Sequence, residues 1–130
     1  KNFDSSKIIN IGNGNTSDTV DNTMNIFLDI LNNSSSTAVF ACNDLMAVGV
    51  LNACKKLGIK VPNEISIIGY DNIPLSKFVE PKLTTMDQNM FFLGANAAQL
   101  LVEKIDCDNK FSKRIILNNS LVERETVISI

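Results

Sequence analysis

Twice in the first half of this chain, a short run of β-branched and small apolar residues gives way to a polar break and then to apolar residues at helical spacing. Ile8, Ile9 and Ile11 precede Gly12-Asn13-Gly14-Asn15, which reads as a strand running into a turn. Thr16 or Ser17 is placed to cap the next helix, with Asp18 and Asp21 in its first turn, where the helix dipole favours acid. Val20, Met24, Phe27 and Leu31 recur on one face, opposite Asp18, Asn22, Asn25 and Asp29. After a polar loop, residues 37–42 predict a buried strand, and Asn43 or Asp44 caps a helix over residues 45–57 that Gly58 stops. Met46, Val50, Ala53 and Leu57 are expected to cover a sheet. The helix is apolar on more than one side, so its other side needs a partner too.

Residues 65–68 read as the next strand, 74–81 as a loop or short helix between prolines, and 83–86 as extended. An amphipathic helix is expected over 90–105, with Asn96, Gln99 and Glu103 on its wet face. A turn at 106–110 and one or two strands around Asn118-Asn119 complete the chain. The passages 8–40 and 40–68 are each about the length of a right-handed β-α-β crossover. The fold class is therefore α/β, an open, mostly parallel sheet flanked by helices. Asn43, Asp44 and Asp71 lie just past the carboxyl ends of successive strands, where open α/β sheets bind ligands.

Composition narrows the chemistry. The chain has 130 residues, enough for one domain with a real core. A net charge of −2, with Lys55-Lys56 and Lys113-Arg114 the only paired cations, is not the clustered basic surface that nucleic acid demands. Cys42, Cys54 and Cys107 are odd in number and widely spaced, and there is no histidine. That argues against a disulfide framework and excludes zinc sites and histidine acid–base catalysis from this segment. Unpaired thiols fit a reducing, cytoplasmic compartment, and no apolar run is long enough to span a bilayer. No cofactor is expected.

The loop at Gly12 lacks the third glycine of a dinucleotide fingerprint, since position 17 is Ser, and no acidic residue closes a second strand about 20 residues on. A plain turn is the better reading. Asp44 and Asp71 could form a catalytic carboxylate pair, but they could equally be a helix cap and a turn residue. For Asp71 there is a third reading: a carboxylate at a strand end accepts hydrogen bonds from adjacent ligand hydroxyls without any chemistry.

Three ordered motifs carry a resemblance. They are Thr37-Ala38 through Asn43-Asp44 to Ala47 and Gly49; Gly58 with Val61-Pro62 through Ile65-Ser66 to Ile68-Gly69-Tyr70-Asp71; and Pro81 with Leu83-Thr84-Thr85 and Gln88. Together with Gly94, Ala97 and the closing Leu121-Val122-Glu123-Arg124-Glu125-Thr126, they resemble LacI/GalR-type transcriptional regulators. Glu64 and Glu125 depart from that family's pattern, standing where it has Asp and Ser/Thr.

The resemblance implies the C-terminal part of a two-lobed, periplasmic-binding-protein-like (type I) effector domain without catalytic activity. Residues of about 1–86 and 112–130 would form one lobe, and the helix of about 89–106 would belong to the other. The first lobe, the first strand and helix of this lobe, and the helix-turn-helix that contacts operator DNA would lie outside this chain. Asn43, Asp71 and Gln88 match positions lining the effector cleft. Ser17 falls near where relatives place an aromatic that stacks on the ligand, and serine offers no ring for that. Val48, Leu51, Asn52 and Lys55, with Leu75 and Phe78, correspond to a homodimer surface. The expected partner is a small molecule, a sugar by default, and no membrane. The alternative is a sugar-binding protein of a transport system, which shares the two-lobed fold.

Overall fold

The computed structural model describes residues 8–11, 18–106 and 113–129. Helix α1 spans Thr19–Asn32, strand β1 Ala38–Phe40, helix α2 Asp44–Leu57 and strand β2 Ser66–Tyr70. A short 3-10 turn, Pro74–Lys77, leads into strand β3, Thr84–Asp87. Helix α3, Met90–Asp106, precedes strand β4, Ser120–Val122. The sheet order is β1-β2-β3-β4. β1, β2 and β3 run parallel, with Val39 opposite Ile67 and Gly69 opposite Thr85, while β4 returns antiparallel to β3. The sheet is thus open and mostly parallel, as the alternation of apolar runs and helical spacings implied.

Helix α2 organises the packing. Its cap is Asn43, whose side chain accepts from the Met46 amide at 2.8 Å. Asp44 in the first turn and Lys55-Lys56 in the last match the dipole. Gly58 ends the helix at φ +73°, a left-handed conformation that residues with a β-carbon rarely adopt, and its N–H reaches the carbonyls of Cys54 and Lys55. Ala47, Val50, Leu51, Ala53 and Cys54 join Ile65, Ile67 and Leu83 of the sheet region and Phe27 and Leu31 of α1 in one core. Each large aliphatic side chain buried there contributes about 1.5–3 kcal/mol. Burial pushes the Cys54 thiol up to about 11, so it is a core filler. Cys42 is exposed, and Cys107 lies outside the described residues.

The carboxyl-terminal segment closes the amino ends of the strands. Thr126 is buried; its hydroxyl donates to the Ile67 carbonyl at 2.6 Å and accepts from the Thr84 amide at 2.9 Å. One threonine thereby bridges β2 and β3 where the direct ladder stops.

Several expectations need correction. Val48 and Leu51, expected on an exposed dimer face, are buried within the chain, and Leu51 is part of the core. The reason is that α1 packs along α2 while the sheet region and the 3-10 turn take the rest of it. Residues 8–11 form no strand, and β1 is not buried: Phe40 is 61% exposed on the sheet's edge strand. The α1 cap position is Asp18 rather than Thr16 or Ser17. In α3, Asn96 and Glu103 are half-buried while Phe91 is 79% exposed.

Candidate functional site

The carboxyl ends of β1, β2 and β3 carry Asn43, Asp71 and Gln88. Asn43 is half-buried, with its side-chain oxygen engaged in capping α2. Gln88 Nε2 donates to Asp71 Oδ1, so these two meet as one polar unit. Ser17 lies outside the described residues. Of the six surface residues named from sequence, Lys55, Leu75 and Phe78 are exposed and Asn52 is half-buried; Val48 and Leu51 are not available.

The backbone at Asp71 is unusual. Strand β2 is followed by two successive residues with positive φ, Asp71 at 110° and Asn72 at 54°. Asparagine tolerates the second value, but the first is sparsely populated for any residue with a side chain. Such conformations persist only where the surroundings over-determine them, and they cluster at binding sites.

The surroundings are explicit. The Asp71 amide donates to the Met86 carbonyl at 2.9 Å. Asn72 donates through Nδ2 to Asp87 at 3.0 Å, accepts from Arg124 Nη2 at 2.6 Å, and its amide reaches Thr85 Oγ1 at 3.4 Å. Arg124 also donates to Ser76 Oγ at 3.0 Å and to the Leu83 carbonyl. The Ile73 amide donates to Asp44 Oδ2 at 2.9 Å, and the Thr85 hydroxyl donates to Asp44 Oδ1 at 2.5 Å.

Asp44 is therefore not the helix cap. It is wholly buried, and burial pushes its carboxyl above the ordinary value against the pull of the Thr85 and Ile73 hydrogen bonds. Asp87 goes the other way: the Asn89 amide, then Asn72, hold its carboxyl below the usual range. Asp44 as a buried anchor, Asn72, Thr85 and Asp87 escape residue-by-residue reading of the sequence. Asp44 and Thr85 carry a sequence signal only as members of the ordered motifs, which also contain Arg124, and Asn72 and Asp87 stand outside the motif residues.

A separate apolar groove of about 540 Å³ runs beside β1, lined among others by Ile8, Ile11, Phe27, Val39, Phe40 and Met46. It shares little with the polar site. Among the described residues there is no cluster of His, Cys, Asp and Glu that could hold a metal, and no helix is long and apolar enough to cross a membrane.

An open α/β sheet with a polar cluster beyond its parallel strand ends has the architecture in which ligands bind outside the carboxyl ends of the strands. The chain belongs to the periplasmic binding protein-like domain family, whose sequence profile matches residues 1–127. Its homologues are transcriptional regulators of the LacI type. It is 47% identical over 93 residues to the HTH-type transcriptional repressor PurR of Pasteurella multocida, covering 72% of this chain and 28% of that protein. With PurR of Vibrio vulnificus the identity is 44% over 92 residues, 70% and 27% of the two chains. The chain spans about a quarter of the length of these curated relatives.

Among solved structures, a LacI family regulator from Enterococcus faecalis with bound ribose superposes at TM-score 0.78, with 36% identity over 83% of this chain and 40% of that one. A LacI regulator from Bacillus cereus subsp. cytotoxis gives 0.79, 33%, 84% and 39% respectively. The regulator CelR in complex with cellobiose gives 0.77, 29%, 82% and 33%.

Proposed function

We propose that this chain is the effector-binding and dimer-forming part of a cytoplasmic LacI-type transcriptional regulator, and that it performs no catalytic step. The observation that carries the reading is the Asp71–Gln88 pair, set at the carboxyl ends of two parallel strands on a strained turn. Regulators of the same architecture hold ribose or cellobiose. A carboxylate and a primary amide side by side can accept from and donate to adjacent hydroxyls of a sugar or related metabolite. Asn43 lies at the end of the neighbouring strand.

Two unfinished surfaces support a longer two-lobed protein. The groove beside β1 is apolar and borders the edge of the sheet that the described strands form, as it would if this lobe continued with a further strand and helix. Helix α3 has no buried side chain among those described, as expected if its apolar residues pack on the other lobe. In this arrangement the effector binds between the lobes and shifts their equilibrium by binding one arrangement better than the other. Contact with operator DNA is made by a helix-turn-helix domain outside this chain. The dimer face is reduced to Asn52, Lys55, Leu75 and Phe78, of which Phe78 is 81% exposed.

The test is a DNA-binding titration with the regulator that contains this chain, run with and without ribose, cellobiose and lactose. One sugar is expected to change operator affinity, and Asp71→Ala is expected to remove that response while leaving DNA binding without sugar intact. A regulator that binds no operator DNA under any of these conditions would sink the proposal. The transport-protein reading is disfavoured because the similar proteins named above are regulators.

A further inference from the structure

We infer that Asp44 is a positioning residue: its two carboxylate oxygens lock the Asp71–Asn72 turn in the conformation that presents Asp71 and Gln88 to the effector. This rests on the effector-site reading above. One oxygen takes the Ile73 amide at 2.9 Å, the first residue after the two left-handed ones, and the other takes the Thr85 hydroxyl at 2.5 Å. With its proton committed to Asp44, the Thr85 hydroxyl offers a lone pair to the Asn72 amide. Both residues that bracket or complete the strained turn are thus fixed, directly or through one hydroxyl, by a side chain from the first turn of α2.

The donor arithmetic requires a carboxylate. Both partners donate to residue 44, and only a carboxylate supplies two acceptor oxygens; an amide has one and would present N–H to Thr85. The seat is built for it as well. A β-carbon at Gly69 would collide with Asp44 Oδ1 and come within 3.0 Å of Leu83 Cδ2, so the strand beneath the carboxylate has to be glycine at that point. On the far side Arg124 holds the Asn72 oxygen and is itself fixed to Ser76 and Leu83, which makes a second clamp on the same turn. Asp44, Gly69, Thr85 and Arg124, four separated positions, serve one turn. A plain capping role is excluded because Asn43 already caps α2.

Hydrogen exchange read by mass spectrometry on the 130-residue chain tests this without any ligand. In Asp44→Ala the segment 70–78 is expected to exchange about tenfold faster while segments from α1 and α2 keep their protection. Asp44→Asn keeps one acceptor for the Ile73 amide but turns an N–H towards Thr85, so it is expected to lose part of the protection, less than Asp44→Ala; Thr85→Val should act like Asp44→Ala but more weakly. Unchanged exchange at 70–78, or opening of every segment together, would overturn the assignment. If Asp44→Ala does not fold, normal exchange at 70–78 in both Asp44→Asn and Thr85→Val overturns it equally.

Calorimetry with ribose, cellobiose and lactose on the regulator containing this chain separates this inference from the reading it rests on. Asp71→Ala should abolish binding, whereas Asp44→Asn should weaken it by no more than about tenfold. Sugar binding that survives Asp71→Ala, or no binding at all, counts against the effector site, and hydrogen exchange at 70–78 then decides by itself whether Asp44 locks the turn.

Discussion

Helices α2 and α3 are both rich in apolar residues, yet one is the centre of the molecule and the other touches almost nothing among the described residues. In α2 eight side chains or backbone positions are buried, from Asp44 to Cys54. In α3, Phe91, Phe92, Leu101, Val102 and Ile105 are all exposed. Apolar content does not separate them. What does is that α2 has α1 along one side and the sheet along the other, so even a charged residue, Asp44, can be carried inside with its hydrogen bonds satisfied. Helix α3 connects β3 to β4 with no described layer of this chain against it. An apolar surface of that extent marks a contact with something else, which is the physical basis for the proposal that α3 packs on a second lobe.

The largest difference should appear on truncating one leucine in each region. Leu83, wholly buried between the sheet and α2, is expected to cost about 2–5 kcal/mol as Leu83→Ala, through lost transfer energy and the cavity left behind. Leu101→Ala in α3 is expected to change the unfolding free energy of the same chain by less than about 0.5 kcal/mol. Urea unfolding followed by circular dichroism measures both. Comparable costs would show that α3 has found a partner in solution, and sedimentation would then identify that partner as a second copy.

A smaller effect is expected where the α2 region meets the site. Gly69→Ala forces a β-carbon against the Asp44 carboxylate and should cost about 1–3 kcal/mol by overpacking. The two positions share a contact, so they should not behave independently. In an Asp44→Ala background the same glycine substitution should be markedly cheaper. Additive costs in that double-mutant cycle would mean that Leu83, not Asp44, is the neighbour that matters.

How much of this was legible in sequence divides along the same line. The strand–helix–strand from β1 to β2 could be read directly, because apolar spacing and Gly58 are local signals that the tertiary structure agrees with. The placement of Asp71 was legible as strand-end chemistry, whereas Gln88 was reached only through the resemblance to LacI-type regulators. Burial of Asp44 was not: an aspartate before a helix reads as a cap, and only three-dimensional packing supplies the Thr85 hydroxyl and Ile73 amide that let it go inside. Phe40 failed in the opposite sense, because an apolar strand pattern does not say whether a neighbouring strand exists. Val48 and Leu51 looked spare on α2 because the extent of its packing against α1, the sheet and the 3-10 turn is a tertiary fact. Arg124 could be placed in a motif but its role could not be read, since its partner Asn72 is 52 residues away in sequence.

The two helices should also carry opposite pH signatures, and here the expected effect is the smallest. Burial holds the Asp44 carboxyl above its ordinary value of 3.8. The folded chain then binds that proton more tightly than the unfolded one, so Asp44 lowers stability as pH rises from 3.8 towards its folded pKa. In α3 the Glu103 carboxyl is held below its ordinary value of 4.5, first by the hydrogen bond from Lys113 at 3.0 Å and then by Gln99. Its contribution is fully present above pH 4.5 and is lost as pH falls through the folded pKa. Unfolding midpoints measured from about pH 3 to pH 7 should therefore flatten in opposite senses: Asp44→Asn removes a decline on the rising side, and Glu103→Gln removes a gain. The Glu103–Lys113 pair is solvent-exposed, so added salt should screen it and erase the Glu103→Gln effect, while the buried Asp44 signature should survive. A Glu103 effect that resists salt would place α3 in a less solvated setting than its exposure implies, and would argue for a partner already covering it.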